Sequence, residues 1–387
     1  MTLPLQLVQG PSGTTWVFCS DEVVTEAVTP TDAQVQGAVA ALQAAGRKLS
    51  EINLALVQRA NPRWRLSAAL VQAAVQHVVQ QAVAARKQAA AGYEIRDAGS
   101  GHGLGVFAVR AFAAGERIMS EAPLLRWKSE TETVQPAELQ GMLAALPPAD
   151  RDAFEALAAL PPSSRLAQGS DLTFRVWAAN AYPTREIEGS SPHACSSAVY
   201  RHVCRINHAC RPNCAHAWNE RLQRMTVHAT QAIGPGEELT LTYLGTDRDA
   251  PGRAERQQLL QEHFDFTCGC SLCALPKSEA RASDRRRTRL VALCESLHAE
   301  APGGPGRRSF ADTAKLLEER LALLREEGVA VEWAHGAMFV VMVKASQAGG
   351  RRKDFKMWAE RTKRSAEVLL GKDSVQYQMY AHWAQEL

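Results

Sequence analysis

Cys268-Gly269-Cys270-Ser271-Leu272-Cys273 places three thiols within six residues, and no other stretch constrains the fold of this chain as strongly. A structural zinc ion takes four ligands in a tetrahedron. Three from one knuckle leave a fourth to arrive from a distant segment, so Cys204, Cys210 and Cys214 become candidates to be folded against it. The competing reading is a group of buried free thiols, for which Cys-x-Cys-x-x-Cys beside a glycine is an unusual pattern. Of the 9 cysteines, seven lie from Cys195 to Cys273, and only Cys19 and Cys294 fall outside. An odd, clustered set argues against a disulfide framework and for metal binding in a reducing, intracellular compartment.

A chain of 387 residues is long enough for two or three domains. The first ninety residues read as helical. Thr31-Asp32 caps a helix running to about Ala45 and ended by Gly46, and Ser50 opens a second that stops near Asn61-Pro62. Ser67 caps a third, with Val71, Val75, Val78, Val79 and Ala82 at helical spacing. From Tyr93 the texture changes to short strands and tight turns: Gly99, Gly101, Gly103 and Gly105, then Val106, Phe107 and Val109. A helical insert follows from about Pro136 to Asn180, broken by Pro147-Pro148 and Pro161-Pro162. Strands resume at Met225-Thr226-Val227 and Leu239 to Tyr243. The basic stretch Arg281 to Arg289 and the loop Ala301 to Gly306 read as linker. Beyond it, Leu316, Leu317, Leu321, Leu323 and Leu324 mark one helix, with others over Met338 to Val343, Lys353 to Leu370 and Val375 to Ala384.

Two further motifs complete the pattern: Asn207-His208-Ala209-Cys210-Arg211-Pro212-Asn213 and Gly236-Glu237-Glu238-Leu239 followed by Thr240-Leu241-Thr242-Tyr243. In the order Asn-His-x-Cys-x-Pro-Asn, Gly-Glu-Glu-Leu-x-x-x-Tyr, Cys-x-Cys-x-x-Cys, the chain resembles the catalytic half of SET-domain protein-lysine methyltransferases over roughly residues 93 to 275. The layout is similar to SMYD proteins and to fungal SET proteins. It departs from SMYD proteins in one respect: Arg126 to Pro192 contains no Cys and no His, so no MYND zinc finger is expected there. Ala209 also replaces the commoner Ser of the first motif.

The resemblance implies an α+β fold. A SET domain of short strands with a helical insert (about 136–180) spans 91–247, and a zinc-bound post-SET segment spans 248–278. N-terminal helices (1–90) and a tetratricopeptide-like C-terminal helical domain (279–387) flank them. It selects Cys210 as the fourth ligand beside Cys268, Cys270 and Cys273. It assigns S-adenosyl-L-methionine to the turn Gly103-Leu104-Gly105, where absent Cβ atoms let backbone approach the cofactor. Asn180, Asn207, His208, Tyr243 and an adenine-stacking Phe266 join that site. Tyr243 is implied as the catalytic residue that orients the amine, and Phe264 as a wall of the lysine channel, where Phe in place of Tyr leaves room for more than one methyl. Asn180 also reads as a helix end and Phe266 as core.

The implied activity is transfer of methyl groups to lysine ε-amines of a protein, histone or non-histone. A non-catalytic SET-fold scaffold and a small-molecule amine methyltransferase are the alternatives. A net charge of +3 gives no warrant for direct nucleic-acid binding. No apolar run is long enough for a membrane span. Nucleus and cytoplasm are both open, and the C-terminal helices offer partner surface. Glu318-Glu319 and Glu326-Glu327 read either as an acidic groove for a basic substrate or as a solvated helix face.

Overall fold

The computed structural model describes residues 28–99, 103–129, 136–164, 169–184, 195–244, 252–301, 306–348 and 351–386, together with short strands at 6–9, 15–19 and 22–23. Gly101 and the 302–305 part of the anticipated linker lie outside these residues, as does the side chain of Ala82. The chain divides into two compact units, Met1–Ala90 and Ala91–Leu387.

The first unit opens with an antiparallel meander, β1 (Gln6–Gln9), β2 (Thr15–Cys19) and β3 (Glu22–Val23), where helix alone was expected. Thr-Trp-Val-Phe-Cys is rich in β-branched and aromatic residues, which suit a pleated strand. Three helices follow: α1 (Asp32–Ala44), α2 (Leu54–Ala60) and α3 (Ala68–Ala91). Thr31 closes a capping box, its hydroxyl accepting from Gln34 N while Gln34 Oε1 accepts from Thr31 N. The cap of α2 is Asn53, whose Oδ1 accepts from Leu56 N at 3.1 Å. Ser50 instead sits in a 3-10 turn, Leu49–Glu51. Ser67 caps α3 as expected. Val35, Val39, Val57 and Val71 form the core of these helices, while Val79 is exposed.

In the second unit, β4 (Tyr93–Asp97), β5 (Leu104–Ala108), β6 (Arg117–Glu121) and β7 (Leu125–Ser129) precede the insert α4 (Pro136–Ala144), α5 (Pro148–Glu155) and α6 (Leu172–Asn180). Then come β8 (Tyr182–Pro183), β9 (Cys195–Val199), β10 (Asn207–His208), β11 (Cys214–Asn219), β12 (Arg224–Ala229) and β13 (Glu238–Leu241). They form three small sheets, ordered β10-β13-β5-β4, β11-β12-β6 and β7-β9-β8. β10 pairs in parallel with β13, Asn207 opposite Thr240 and His208 opposite Leu241. On β13 burial alternates with the pleat. Leu239 and Leu241 enter a core with Val106, Ile118, Ile206 and Val227, and Glu238 and Thr240 face the other way.

Six α-helices and the cysteine knuckle follow among the described residues: α7 (Arg253–Phe264), the knuckle, then α8 (Lys277–His298), α9 (Phe310–Glu326), α10 (His335–Gln347), α11 (Arg352–Leu370) and α12 (Val375–Glu386). The basic stretch expected as linker is therefore helix. Ala280, Ser283, Arg287, Leu290 and Leu297 are buried at helical spacing, and two of these five are polar, which disguised the apolar face. Arg287 can be buried because Glu327, at the end of α9, pairs with it at 2.9 Å. The last helices rest on the strands through Arg117 on β6, which forms a two-pronged ion pair with Asp373 and donates to His228 Nε2 at 3.2 Å. The acidic residues of α9 are not an open groove: Glu319 pairs with Arg289, Glu318 with Arg361, and Glu327 is fully buried.

Candidate active site and metal centre

A cleft of about 1230 Å³ runs between the end of α6, β10, β13 and the α7–knuckle segment. Every residue that the sequence singled out for the cofactor and the catalytic step lines it except Gly105: Gly103, Leu104, Asn180, Asn207, His208, Tyr243, Phe264 and Phe266. Gly103 takes φ +70° with open space at its Cβ position, so it supplies conformation. Gly105 does something else. A Cβ there would meet Glu238 Oε1 at 2.5 Å and Asn207 Nδ2 at 3.0 Å. Its bare backbone makes room for that side-chain pair, in which Asn207 donates to Glu238 at 2.8 Å.

β10 and β13 set the centre. The backbone N–H of Tyr243 donates to His208 Nδ1 at 3.0 Å, and the Tyr243 hydroxyl donates to Ile206 O at 2.9 Å. Burial drives the Tyr243 phenol upward from its ordinary range, so it keeps its proton. Burial also pushes His208 down to about 4, leaving a neutral imidazole. Phe264 lies 5.2 Å from the Tyr243 ring, and Phe266 lies 6.0 Å from His208 and 6.4 Å from Tyr243. On the far wall Asn180 ends α6, donating from Nδ2 to Val176 O and Ala158 O at 2.7 Å each. Its carbonyl accepts from the Cys204 thiol at 3.3 Å.

Below the cleft the Sγ atoms of Cys210, Cys268, Cys270 and Cys273 all lie within 4.8 Å of one another. Cys210 Sγ is 3.9 Å from that of Cys268 and 3.6 Å from that of Cys273. A tetrahedron of thiolates about 2.3 Å from zinc has edges of about 3.8 Å, so the donor set fits such an ion in number, chemistry and spacing. Hydrogen bonding with Cys210 and then Cys268 holds Cys273 below its ordinary value, while neighbouring sulfurs, Cys268 first, push Cys210 upward. Cys204 and Cys214 take no part. Cys204 accepts from Tyr200 N at 3.1 Å, and Cys214 belongs to the strand core.

Several residues that position this site were not singled out from the sequence. Asn213 stitches β13 in place. Its Oδ1 accepts from Thr240 N at 2.8 Å, and its Nδ2 donates to Glu238 O at 2.8 Å. Arg253, Arg256, Gln257 and Leu260 share one face of α7 at helical spacing. Gln257 grips both backbone groups of Cys268, at 2.7 and 2.8 Å, and Arg253 donates to Cys273 O at 2.6 Å. Arg256 is buried, with Nη2 3.9 Å from Cys273 Sγ. Asn213 and Glu238 stood inside the motifs already quoted. The α7 face carried no signal beyond its spacing.

Comparison with known proteins agrees with this geometry. Residues 103–244 match the SET domain family. The chain is 33% identical over 190 residues to "Histone-lysine N-methyltransferase set5" of Schizosaccharomyces pombe, covering 49% of this chain and 53% of that protein. It is 31% identical over 102 residues to "Protein-lysine N-methyltransferase SMYD4" of Mus musculus (26% of this chain, 12% of that protein). To "Protein-lysine N-trimethyltransferase SMYD5" of Homo sapiens it is 33% identical over 73 residues (19% and 18%). The chain thus spans about half the length of the first relative and under a fifth of the other two.

Proposed function

Because residues 103–244 of this chain are a SET domain, we propose that the protein is an S-adenosylmethionine-dependent methyltransferase acting on lysine side chains of a protein substrate. The observation that carries the proposal is the convergence of Asn207, His208 and Tyr243 on one cleft through the β10–β13 pairing. The relatives, all named as lysine methyltransferases of histones or other proteins, support the substrate class.

The cofactor would lie against Gly103–Gly105, Asn207 and His208, with Phe266 beside it and Asn180 opposite, and when bound it supplies an electrophilic methyl group on a sulfonium. The residues of the chain do the rest. The amine must be neutral, whereas lysine's ordinary pKa is about 10.4. Tyr182, Phe264 and Phe266 give the cleft apolar walls, which disfavour the ammonium form. The Tyr243 proton is committed to Ile206 O, so Tyr243 is no general base. Its oxygen lone pairs remain to accept from an amine N–H and aim the nitrogen lone pair, and orientation of this kind is a large part of the rate. Phe264 adds no hydroxyl that would order a water in the channel. We therefore assign capacity beyond monomethylation, in line with the name of the SMYD5 relatives.

The four cysteines would hold zinc, and their need for reduced thiols suits an intracellular location. Among the described residues, no helix is long and apolar enough to cross a membrane. Calorimetric titration of S-adenosylmethionine into the wild type and Asn207→Ala tests the proposal. Saturable binding lost in the variant, with methylation of a lysine peptide library lost in Tyr243→Phe, is the expected result. A folded, metal-loaded protein that binds no cofactor would leave the scaffold reading in its place.

A further inference from the structure

The Tyr243 hydroxyl is held by the carbonyl of Ile206, and that carbonyl leaves a short turn anchored on another strand. Val203–Arg205 form one 3-10 turn, in which Arg205 N donates to His202 O at 2.9 Å and Ile206 N to Val203 O at 3.1 Å. The first N–H groups of such a turn have no acceptor within it. His202 stands at the capping position, yet its side chain makes no cap; its Nδ1 lies 2.9 Å from Tyr93 Oη on β4 instead. The missing acceptor is Glu121, the last residue of β6. Its Oε1 accepts from His202 N at 3.0 Å, and its Oε2 accepts from the same N–H at 3.2 Å and from Val203 N at 2.9 Å. Hydrogen bonds to an ionised acceptor are about twice as strong as neutral ones, so a carboxylate is a firm anchor here.

The helical insert fixes the far end of the turn. Arg205 Nη2 donates to Ala156 O at 2.9 Å, and the Cys204 thiol donates to Asn180 O at 3.3 Å. Val203 and Ile206 are fully buried between these holds. Asn207 and His208, next in the chain, have anchors of their own. They pair with β13, Asn207 donates to Glu238, and His208 accepts from Tyr243 N. The Ile206 carbonyl is therefore the part of the site that depends most on the turn. We propose that Glu121 is a positioning residue for methyl transfer, holding the 203–205 turn so that Ile206 O keeps the Tyr243 oxygen in place for the amine. The proposal rests on the reading of Tyr243 as the residue that orients the substrate nitrogen. Loosening the turn then costs rate and not cofactor affinity, because the amine is no longer held in line with the methyl group while the cofactor contacts stay.

The test is a double-mutant cycle in the full chain, purified under reducing conditions with zinc: wild type, Glu121→Gln, Tyr243→Phe and the double variant. A methyl-accepting peptide from a lysine peptide library is the substrate. Rapid quench reads the single-turnover rate, and calorimetry reads S-adenosylmethionine affinity. Glutamine keeps the size of the side chain but turns an NH2 group toward the two N–H donors. Glu121→Gln should lower the rate about tenfold when Tyr243 is present. In the Tyr243→Phe background, with no hydroxyl left to aim, it should lower the rate by less than about twofold. Cofactor Kd should stay within about twofold of the parental value throughout. Equal losses in both backgrounds make Glu121 a merely structural residue and overturn the proposal. An unaffected rate overturns it too, as does a rate loss matched by weaker cofactor binding. A wild type that methylates no peptide, or Tyr243→Phe at full rate, refutes the reading of the site and the proposal with it. An active, Tyr243-dependent wild type indifferent to Glu121→Gln refutes the proposal alone. Should Glu121→Gln fail to fold, Glu121→Asp, which keeps the charge on a side chain one methylene shorter, takes its place in the cycle.

Discussion

The backbone N–H of Tyr243 donates to His208 Nδ1 at 3.0 Å, and this one bond fixes the imidazole tautomer. With Nδ1 accepting, a neutral ring carries its proton on Nε2, which faces Cys210 Sγ at 3.3 Å. His208 therefore spans from the backbone of the candidate catalytic tyrosine to a sulfur of the candidate metal centre. Hydrogen bonds of this kind orient metal ligands and tune their basicity. Cleft and metal site are one construction, and its parts can be tested separately.

Removing the phenol oxygen isolates the orienting role. Tyr243→Phe should lower single-turnover methyl transfer by roughly 10²-fold and leave cofactor affinity near the parental value. Ile206 O loses its donor, so stability should fall by only about 1 kcal/mol. Rapid-quench kinetics beside calorimetry would show it. An unaffected rate would remove Tyr243 from the reaction.

Phe264 packs 5.2 Å from Tyr243, where an added hydroxyl would point into the channel and could hold water. Phe264→Tyr should shift the products on a substrate peptide toward monomethyllysine, as read by mass spectrometry at saturating cofactor. An unchanged product ratio would place Phe264 off the channel.

Asn213 is 8% exposed and satisfies the backbone of β13 at two residues. Asn213→Ala strands those buried groups and should cost about 3 kcal/mol in urea unfolding. Because β13 carries the chain into Tyr243, activity should fall more than stability alone explains. A loss below about 0.5 kcal/mol would mean that water replaces the side chain.

Gly371 closes α11 at φ +85°, and a Cβ there would meet Arg117 Nη2 at 2.7 Å and His228 Nε2 at 2.9 Å. Gly371→Ala combines backbone strain with a clash against the Arg117–Asp373 pair, and roughly 2 kcal/mol of destabilisation is expected. Thermal unfolding at constant metal load measures it; a neutral result would show that the last helices adjust freely on the strands.

His228 supplies a pH signature. Burial first, then the Arg117 charge, hold it down at about 4 against an ordinary 6.5. The unfolded chain thus binds a proton at a pH where the folded chain does not. The contribution of His228 is complete above pH 6.5 and is lost as pH falls toward 4, by up to roughly 3 kcal/mol. Unfolding free energies over that window should drop more steeply for the wild type than for His228→Gln, and parallel curves would contradict the assignment.

Much of this was legible because it is local. Cys-x-Cys-x-x-Cys marks a candidate metal knuckle through spacing alone, Thr31 and Ser67 announce helix starts, and the two motifs that meet at β10 and β13 are contiguous words. Tertiary structure decided what depends on partners from elsewhere in the chain. It brought Cys210, and not Cys204 or Cys214, to the knuckle. It gave Gly105 its meaning through the Asn207–Glu238 pair. It turned the basic run at 281–289 from an expected linker into a buried helix face, because Glu327 receives Arg286 and Arg287. Residue type and spacing set which chemistry a chain can perform, whereas the burial of a charge is favourable only when a counter-charge meets it, and a linear sequence does not show which distant residue that will be.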